Sequence, residues 1–347
     1  LGIKAADRPR VAKSNIVTAE PMSGEADMKE EFTAGLKPRV LGQLVDTVFD
    51  KMKLAGEAGS LLKIEEEIKD VVAAAKKQWA EQPKPVQMEL FGGTKPAQHV
   101  QQELRFDVKG ITDKRFWEQA EDRILDALKD YAEQAENGRA GRRRLFAEDA
   151  AQGFAFIDLC RKRYDVLLMN PPFGEFTGRT KGFAQVHFSK TKNDIYGAFI
   201  ERAQLITADN GFIGAITPRT WITLTRFEGL REIILESVSL NYFIDLGYGV
   251  LESMAEVAIF VLSQSKSPTN TAFLGAFSTK DKLKSVKRLV DEFSQLQIEE
   301  VLLVDINTFR NIPQKIFAFG LPNSVLDLIS QGQTIEGSGN FSVKQGI

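Results

Sequence analysis

Four consecutive residues, Asn170-Pro171-Pro172-Phe173, combine groups that could grip an amino group on a flat heterocycle. Asn carries a carbonyl acceptor and an NH2 donor, and the carbonyl of the Pro beside it is a second, rigid acceptor. Two acceptors converging on one point suit an exocyclic amine, which has two N–H bonds to give. The Phe adds a flat apolar face on which a base can stack. A plainer reading stands beside this one: a strand that ends in a Pro-Pro turn, with Asn as its capping residue.

Such chemistry depends on what holds these residues still. The apolar run Val166 to Met169 directly before them reads as a buried strand. The two prolines cannot donate to a ladder and force the chain out of the sheet. Asn170 and Phe173 then stand at the carboxyl end of a strand, where open α/β sheets place their ligands. Further on, Asp194 to Thr207 is predicted as a helix, with Ile195, Phe199, Ala203 and Ile206 on one face. Gly211 to Ile216 reads as a strand stopped by Thr217-Pro218, Phe227 to Glu236 as a helix, and Asn241 to Leu246 as a strand. Glu256 to Leu262 reads as a last strand paired back through a hairpin. That order predicts an α/β sheet with an antiparallel final strand.

The same residues carry a family resemblance. Asn170-Pro171-Pro172-Phe173 resembles the catalytic motif of the amino-methyltransferases that modify adenine N6 in DNA. Asp194-Ile195-Tyr196-Gly197-Ala198-Phe199-Ile200-Glu201-Arg202-Ala203 resembles their next motif, and Gly211 to Pro218 their following strand. The order is similar to the gamma class, in which the cofactor half precedes the catalytic motif. The likeness is greatest to the large single-chain methylases of type IIG restriction–modification and BREX-type phage defence, over residues 155–265.

This resemblance implies a Rossmann-like methyltransferase sheet, present in part, with a largely α-helical insertion. It implies S-adenosylmethionine as methyl donor, double-stranded DNA as substrate, a flipped adenine as target and defence-system proteins as possible partners. The carbonyls of Asn170 and Pro171 would accept the two N6 hydrogens, Pro172 would fix the turn and Phe173 would stack on the base. Glu20, closing a predicted strand over Asn15 to Ala19, would touch the cofactor adenine, as would Phe199. A solvated acid and a core aromatic are the plainer readings of those two. Gly174, Arg179, Lys181 and Leu251 fall on the substrate side, Leu251 where the family usually carries Phe. Glu175 to Lys192 is polar, basic and glycine-rich, and is expected as a mobile loop that meets the DNA backbone.

A second glycine-rich stretch, Ile244-Asp245-Leu246-Gly247-Tyr248-Gly249, resembles the methyltransferase cofactor loop. Such a loop should open a helix, whose bare N–H groups serve the ligand. A β-rich run follows instead, so the stretch is expected as a turn bordering the base pocket. Two other functions remain open: methylation of another planar amine (RNA adenine, protein glutamine or cytosine N4), and a methylase fold kept as a non-catalytic DNA-binding or assembly module.

The rest of the chain sets bounds. A formal net charge of −2 over 347 residues argues against a protein that coats DNA by bulk electrostatics, so contacts must come from local patches. Cys160, the single cysteine, excludes an internal disulfide and suits a reducing cytoplasm. With only His99 and His187 beside it, no metal site is expected. No apolar run approaches a membrane span. Residues 25–150 read as a helical insertion, with an amphipathic helix over Phe116 to Ala135 and a break near Leu54 to Leu62. Asn137 to Arg144 is the densest basic run and reads more simply as a solvated loop than as a phosphate contact. Residues 1–24 are expected as a strand and connector from the cofactor half, 151–265 as the catalytic core, and 266–347 as a helical connector. The chain reads as a piece of a longer protein, with the main cofactor loop upstream, a target-recognition domain downstream, and little activity of its own.

Overall fold

A computed structural model describes residues 14–21, 26–81, 112–134, 140–250, 255–265, 270–275 and 302–331, with isolated residues between 282 and 291. The chain divides into two compact units, residues 1–161 and 162–347.

The first unit is helical. Its main helices are α1 (Ala26–Gly35), α2 (Arg39–Lys51), α3 (Lys69–Glu81), α4 (Asp113–Glu133) and α5 (Ala140–Arg161). Between α2 and α3 the chain passes through short helical turns, the stop and restart announced by Gly56, Gly59 and Ser60. The cap of α4 is Thr112, whose hydroxyl accepts from the Arg115 N–H at 3.3 Å. Phe116, Trp117, Ala120, Ile124, Leu128 and Tyr131 form the buried stripe of α4, at the spacing of one helix face. Tyr131 sets its ring edge against Phe32 at 5.5 Å.

Three expectations for this unit need correction. From Ala140 on, the basic run is not a loop, because α5 begins there. Arg142 pairs there with Asp27 at 3.1 Å and Arg143 with Glu31, so α1 consumes part of its charge. Residues Asn15 to Ala19 make no ladder among the described residues, and Ile16 is almost fully exposed. A lone extended segment leaves its backbone groups to water and has nothing to stabilise it as a strand. Position 150, expected as a domain boundary, lies inside α5. Leu1 to Ala6, which the sequence suggests as the tail of a helix, and Gln82 to Gln102, which its prolines and glycines suggest as a linker or mobile loop, lie outside the described residues.

The second unit holds the sheet. Its strands are β1 (Tyr164–Met169), β2 (Thr207–Pro218), β3 (Ser239–Gly247), β4 (Val257–Ser263), β5 (Asn270–Gly275) and β6 (Leu302–Asp305), in the spatial order β1-β2-β4-β3-β5-β6. Helices α6 (Gly178–His187), α7 (Ile195–Ile206), α8 (Glu228–Ser237) and α9 (Asn323–Gln331) accompany it. β1 is parallel to β2, and β4 lies antiparallel between β2 and β3. The result is a mixed α/β sheet of the Rossmann-like kind expected, present in part. β5 and β6 extend it beyond the strands expected from the sequence, while most of residues 276–301, within the expected helical connector, lie outside the described residues.

β1 is not the buried strand that its composition suggests. It is an edge strand among those described, with Val166 59% and Leu168 79% exposed. An apolar run shows what a strand could bury, but its neighbours decide what it does bury. The core of the unit lies instead around Trp221, whose ring meets Phe260 at 5.3 Å and Phe243 and Phe317 at 5.7 Å. Arg231 is fully buried there and donates to the carbonyls of Trp221, Leu224 and Gln314. Burial pulls its pKa down.

Candidate functional site

Ladder register places the candidate residues on one edge of the sheet. Met169 pairs with Ala215, so Asn170 leaves β1 alongside the last residues of β2. Pro218 at the end of β2 and Gly247 at the end of β3 both pair with Val257, the first residue of β4. The carboxyl ends of β1, β2 and β3 therefore share an edge, the usual ligand edge of an open α/β sheet.

Along this edge Asn170 is exposed, and its side-chain amide is engaged by no hydrogen bond among the described residues. Pro171 is buried, Pro172 exposed and Phe173 half-buried. Phe173 packs against both apolar clusters of the unit and meets the Tyr196 ring edge-on at 6.3 Å. The four residues thus combine an exposed amide with an aromatic anchored from behind. Tyr196 in turn packs on Phe227 at 5.2 Å, and its phenol lies 3.4 Å from the Thr220 hydroxyl. Burial pushes that phenol well above the ordinary tyrosine range.

Gly174, next in sequence, has φ near +125°, which side-chain-bearing residues rarely adopt. Its N–H donates to Asp194 Oδ1 at 3.2 Å and its carbonyl accepts from the Ile195 N–H at 2.8 Å. Asp194 is also the N-cap of α7, accepting from the Tyr196 N–H at 3.4 Å. Desolvation raises the pKa of this buried carboxyl, against the pull of those two backbone donors and of Arg226.

The far side of the edge is tied by an arginine fork. Arg219 follows β2 and donates to both oxygens of Glu256, at 2.9 and 2.7 Å, and to Asp245 Oδ2 at 2.5 Å. Asp245 Oδ1 accepts from the Gly247 N–H at 3.0 Å, and the Arg219 N–H reaches the Glu256 carbonyl at 2.9 Å. Desolvation alone would lower the arginine's pKa, but its hydrogen bonds to Asp245 and Glu256 outweigh it and the net shift is upward. The ends of β2 and β3 and the start of β4 are held as one frame. Tyr248 stands 62% exposed just past it.

The glycine-rich stretch around Gly247 therefore joins β3 to the antiparallel β4, and β4 rather than a helix follows it. That is the arrangement of a turn between antiparallel strands, not of a cofactor loop opening a helix.

The remaining candidates are scattered. Arg179 and Lys181 are exposed on α6, so the stretch read as a mobile loop contains a helix of ten residues. Thr180 tightens its first turn by donating to the Thr177 carbonyl at 2.7 Å. Phe199 is half-buried on α7. Glu20 is exposed and belongs to the first unit. Leu251 lies outside the described residues. Asp194, Arg219, Asp245 and Glu256 were not among the sequence candidates. An Asp immediately before an apolar helix was the available signal for the first, as an N-cap. The fork joins residues 26 and 37 positions apart and leaves no local signature.

Comparison with known proteins follows the same stretch of chain. The model of the Eco57I restriction-modification methylase family matches residues 60–250, more than half of the sequence. The chain is 24% identical over 190 residues to the adenine-specific methyltransferase PglX of Lacticaseibacillus casei (strain Zhang), covering 48% of this chain and 14% of that protein. It is 29% identical over 106 residues to the adenine-specific methyltransferase BrxX of Escherichia coli O9:H4 (strain HS), covering 29% of this chain and 9% of that protein. The type IIG restriction endonuclease BpuSI superposes on 40% of this chain and 18% of its own length, at a TM-score of 0.32 and 22% identity. The chain thus spans between about a tenth and a seventh of the length of these curated relatives.

Proposed function

The chain belongs to the Eco57I restriction-modification methylase family, and from that premise we propose that it supplies the catalytic edge of a site-specific DNA methyltransferase. The reaction is transfer of a methyl group from S-adenosylmethionine to N6 of an adenine in double-stranded DNA, in restriction–modification or phage defence. The observation that carries this reading is the exposed Asn170 side chain at the carboxyl end of β1, three residues before a Phe173 ring anchored from behind.

The target base must leave the duplex before its amine can be reached, at a cost of about a few kcal/mol. Asn170 Oδ1 and the Pro171 carbonyl accept the two N6 hydrogens and draw lone-pair density onto the nitrogen. Pro172 holds the backbone in its turn, and Phe173 gives the base a face to lie on. When bound, the cofactor supplies an electrophilic methyl group on its sulfonium. Within the second unit, Phe199 on α7 is the cofactor-side residue of this reading. Catalysis by these residues rests on aim and on electrostatics. Gly174, Arg179 and Lys181 meet the DNA backbone beyond the turn, with Leu251 on the pocket rim, and the protein acts in the cytoplasm. Among the described residues no helix is long and apolar enough to cross a membrane.

Asn170→Ala in the full-length protein tests the reading. Loss of one positioned acceptor is expected to lower the methylation rate by about 100-fold or more, with thermal unfolding unchanged because the side chain is exposed. Methylation at the wild-type rate would sink the role of Asn170. A wild-type protein that binds neither cofactor nor DNA would point to an assembly module.

A further inference from the structure

Asn170 to Phe173 is secured at its start by the β1–β2 ladder, through the Met169–Ala215 pair. What secures its end is the first turn of α7. Both polar groups of the Gly174 peptide are taken up there: the N–H by Asp194 Oδ1 at 3.2 Å, the carbonyl by the Ile195 N–H at 2.8 Å. Phe173 is held by the same turn through the Tyr196 ring. Behind Asp194 stands Arg226, its guanidinium 3.7 Å from Asp194 Oδ2 and 3.7 Å from Glu175 Oε1. The backbone of Arg226 is tied to the same segment, its carbonyl accepting from the Asn193 side-chain amide at 2.8 Å. Asp194 is only 4% exposed, while the turn that it grips carries an exposed amide.

We propose that Asp194 is the positioning residue of the Asn170–Phe173 turn: one carboxylate oxygen caps α7 and, through the Gly174 N–H, fixes the direction in which the Asn170 amide points. The inference rests on the reading of Asn170 as the acceptor of the target amine, and deepens it. Gly174 is bound this way because its backbone is in a region closed to other residues, with open space where a Cβ would stand. The demand there is conformational, and a hydrogen bond from a fixed partner is what keeps so permissive a residue in one state.

Helix capping alone would give Asp194 a purely structural role, and three variants of the full-length protein separate the two. Asp194→Asn keeps a carbonyl of the same reach, able to accept from both Gly174 and Tyr196. Asp194→Ser keeps a competent N-cap, but its shorter side chain cannot span to Gly174. Asp194→Ala removes both interactions. The first measurement is hydrogen exchange of the backbone amides over residues 173–176, with β3 and β4 as the internal record of an intact fold. Exchange at Gly174 is expected to rise by about tenfold in Asp194→Ser, as for the loss of one hydrogen bond, and to stay near wild type in Asp194→Asn. The second is steady-state methylation. Asp194→Ser is expected to lower kcat by about 100-fold with KM for DNA little changed, since misplacement of about 1 Å costs that much, and Asp194→Asn to restore most of it. Unchanged exchange at Gly174 in Asp194→Ser, or equal loss in the Asn and Ser variants, overturns the proposal. If the wild-type protein transfers no methyl group, the reading of Asn170 fails, and the exchange experiment still decides whether Asp194 holds the turn.

Discussion

Removing the fork of Arg219 should destabilise the second unit more than any other surface-reaching substitution near the site. In Arg219→Ala three charge-assisted bonds disappear, and Asp245, whose side chain is 6% exposed, keeps the hydrogen bond from the Gly247 N–H. Breaking a buried pair by deleting one partner costs about 3–5 kcal/mol. The Arg219 side chain is 32% exposed and that of Glu256 27%, so solvent screening puts the expected loss near the lower figure, about 3 kcal/mol. For a unit of this size that lowers Tm by roughly 6–12 °C. The assay is thermal unfolding followed by the fluorescence of Trp221, in a background where Trp79 and Trp117 are replaced by Phe. Most of the loss is the cost of a stranded charge, so adding Asp245→Asn to Arg219→Ala should return about 1–2 kcal/mol. Arg219→Lys, which keeps the charge but not the fork, should fall between wild type and Arg219→Ala. A fall in Tm below about 2 °C for Arg219→Ala, or a double variant less stable than the single one, would refute the idea that the three residues act as a frame.

Two further outcomes follow from local geometry. Burial, then the neighbouring charge of Asp158, pushes the Glu121 carboxyl up from 4.5 to about 7, although Trp117 Nε1 donates to it at 2.9 Å. Between those two values the folded state holds a proton that the unfolded chain has released, so the stability of the first unit falls as pH rises through this window. Glu121→Gln keeps an acceptor for Trp117 and should stabilise by about 1–3 kcal/mol at pH 8, discounted for partial exposure, with no gain at pH 4; equal gains at both would exclude titration as the cause. Gly229→Ala on α8 would place a Cβ 2.3 Å from the Lys190 carbonyl oxygen and 3.0 Å from its Cα, both backbone atoms. The crowding cost of about 1–3 kcal/mol should exceed the helix-propensity gain of about 1 kcal/mol; a rise in the urea midpoint would show that the 190s segment yields.

How much could be read from the chain depends on how local each feature is. Pro171 and Pro172 announce the end of β1 by themselves, and the pattern from β2 to β4 is visible because each strand carries its own run and stop signal. α4 shows its face through spacing alone. The exposure of Val166 and Leu168 could not be read, since it depends on strands lying beside β1 and not on β1 itself. α6 was hidden because Gly178 and Gly182 look like loop residues, yet Gly178 takes a positive φ at the first residue of the helix and Gly182 has open space around it. At the site, Asn170 and Phe173 declare themselves by type, whereas Asp194 and Arg219 matter through what they touch. Their partners lie 20 and 37 residues away, and no single window of sequence contains both ends.

The place of β4 has a consequence for how the protein is made. Because Val257–Ser263 slots between β2 and β3, neither of those earlier strands has both neighbours until the ribosome has added residues well past the catalytic turn. Glu256, the residue that closes the arginine frame, emerges among the last of this group. Nascent chains halted before it carry the motif but not its scaffold, with one edge of β2 and the whole of β3 open to wrong partners. Premature stops or slow codons downstream of Gly247 should therefore show themselves as aggregation before they show themselves as lost activity.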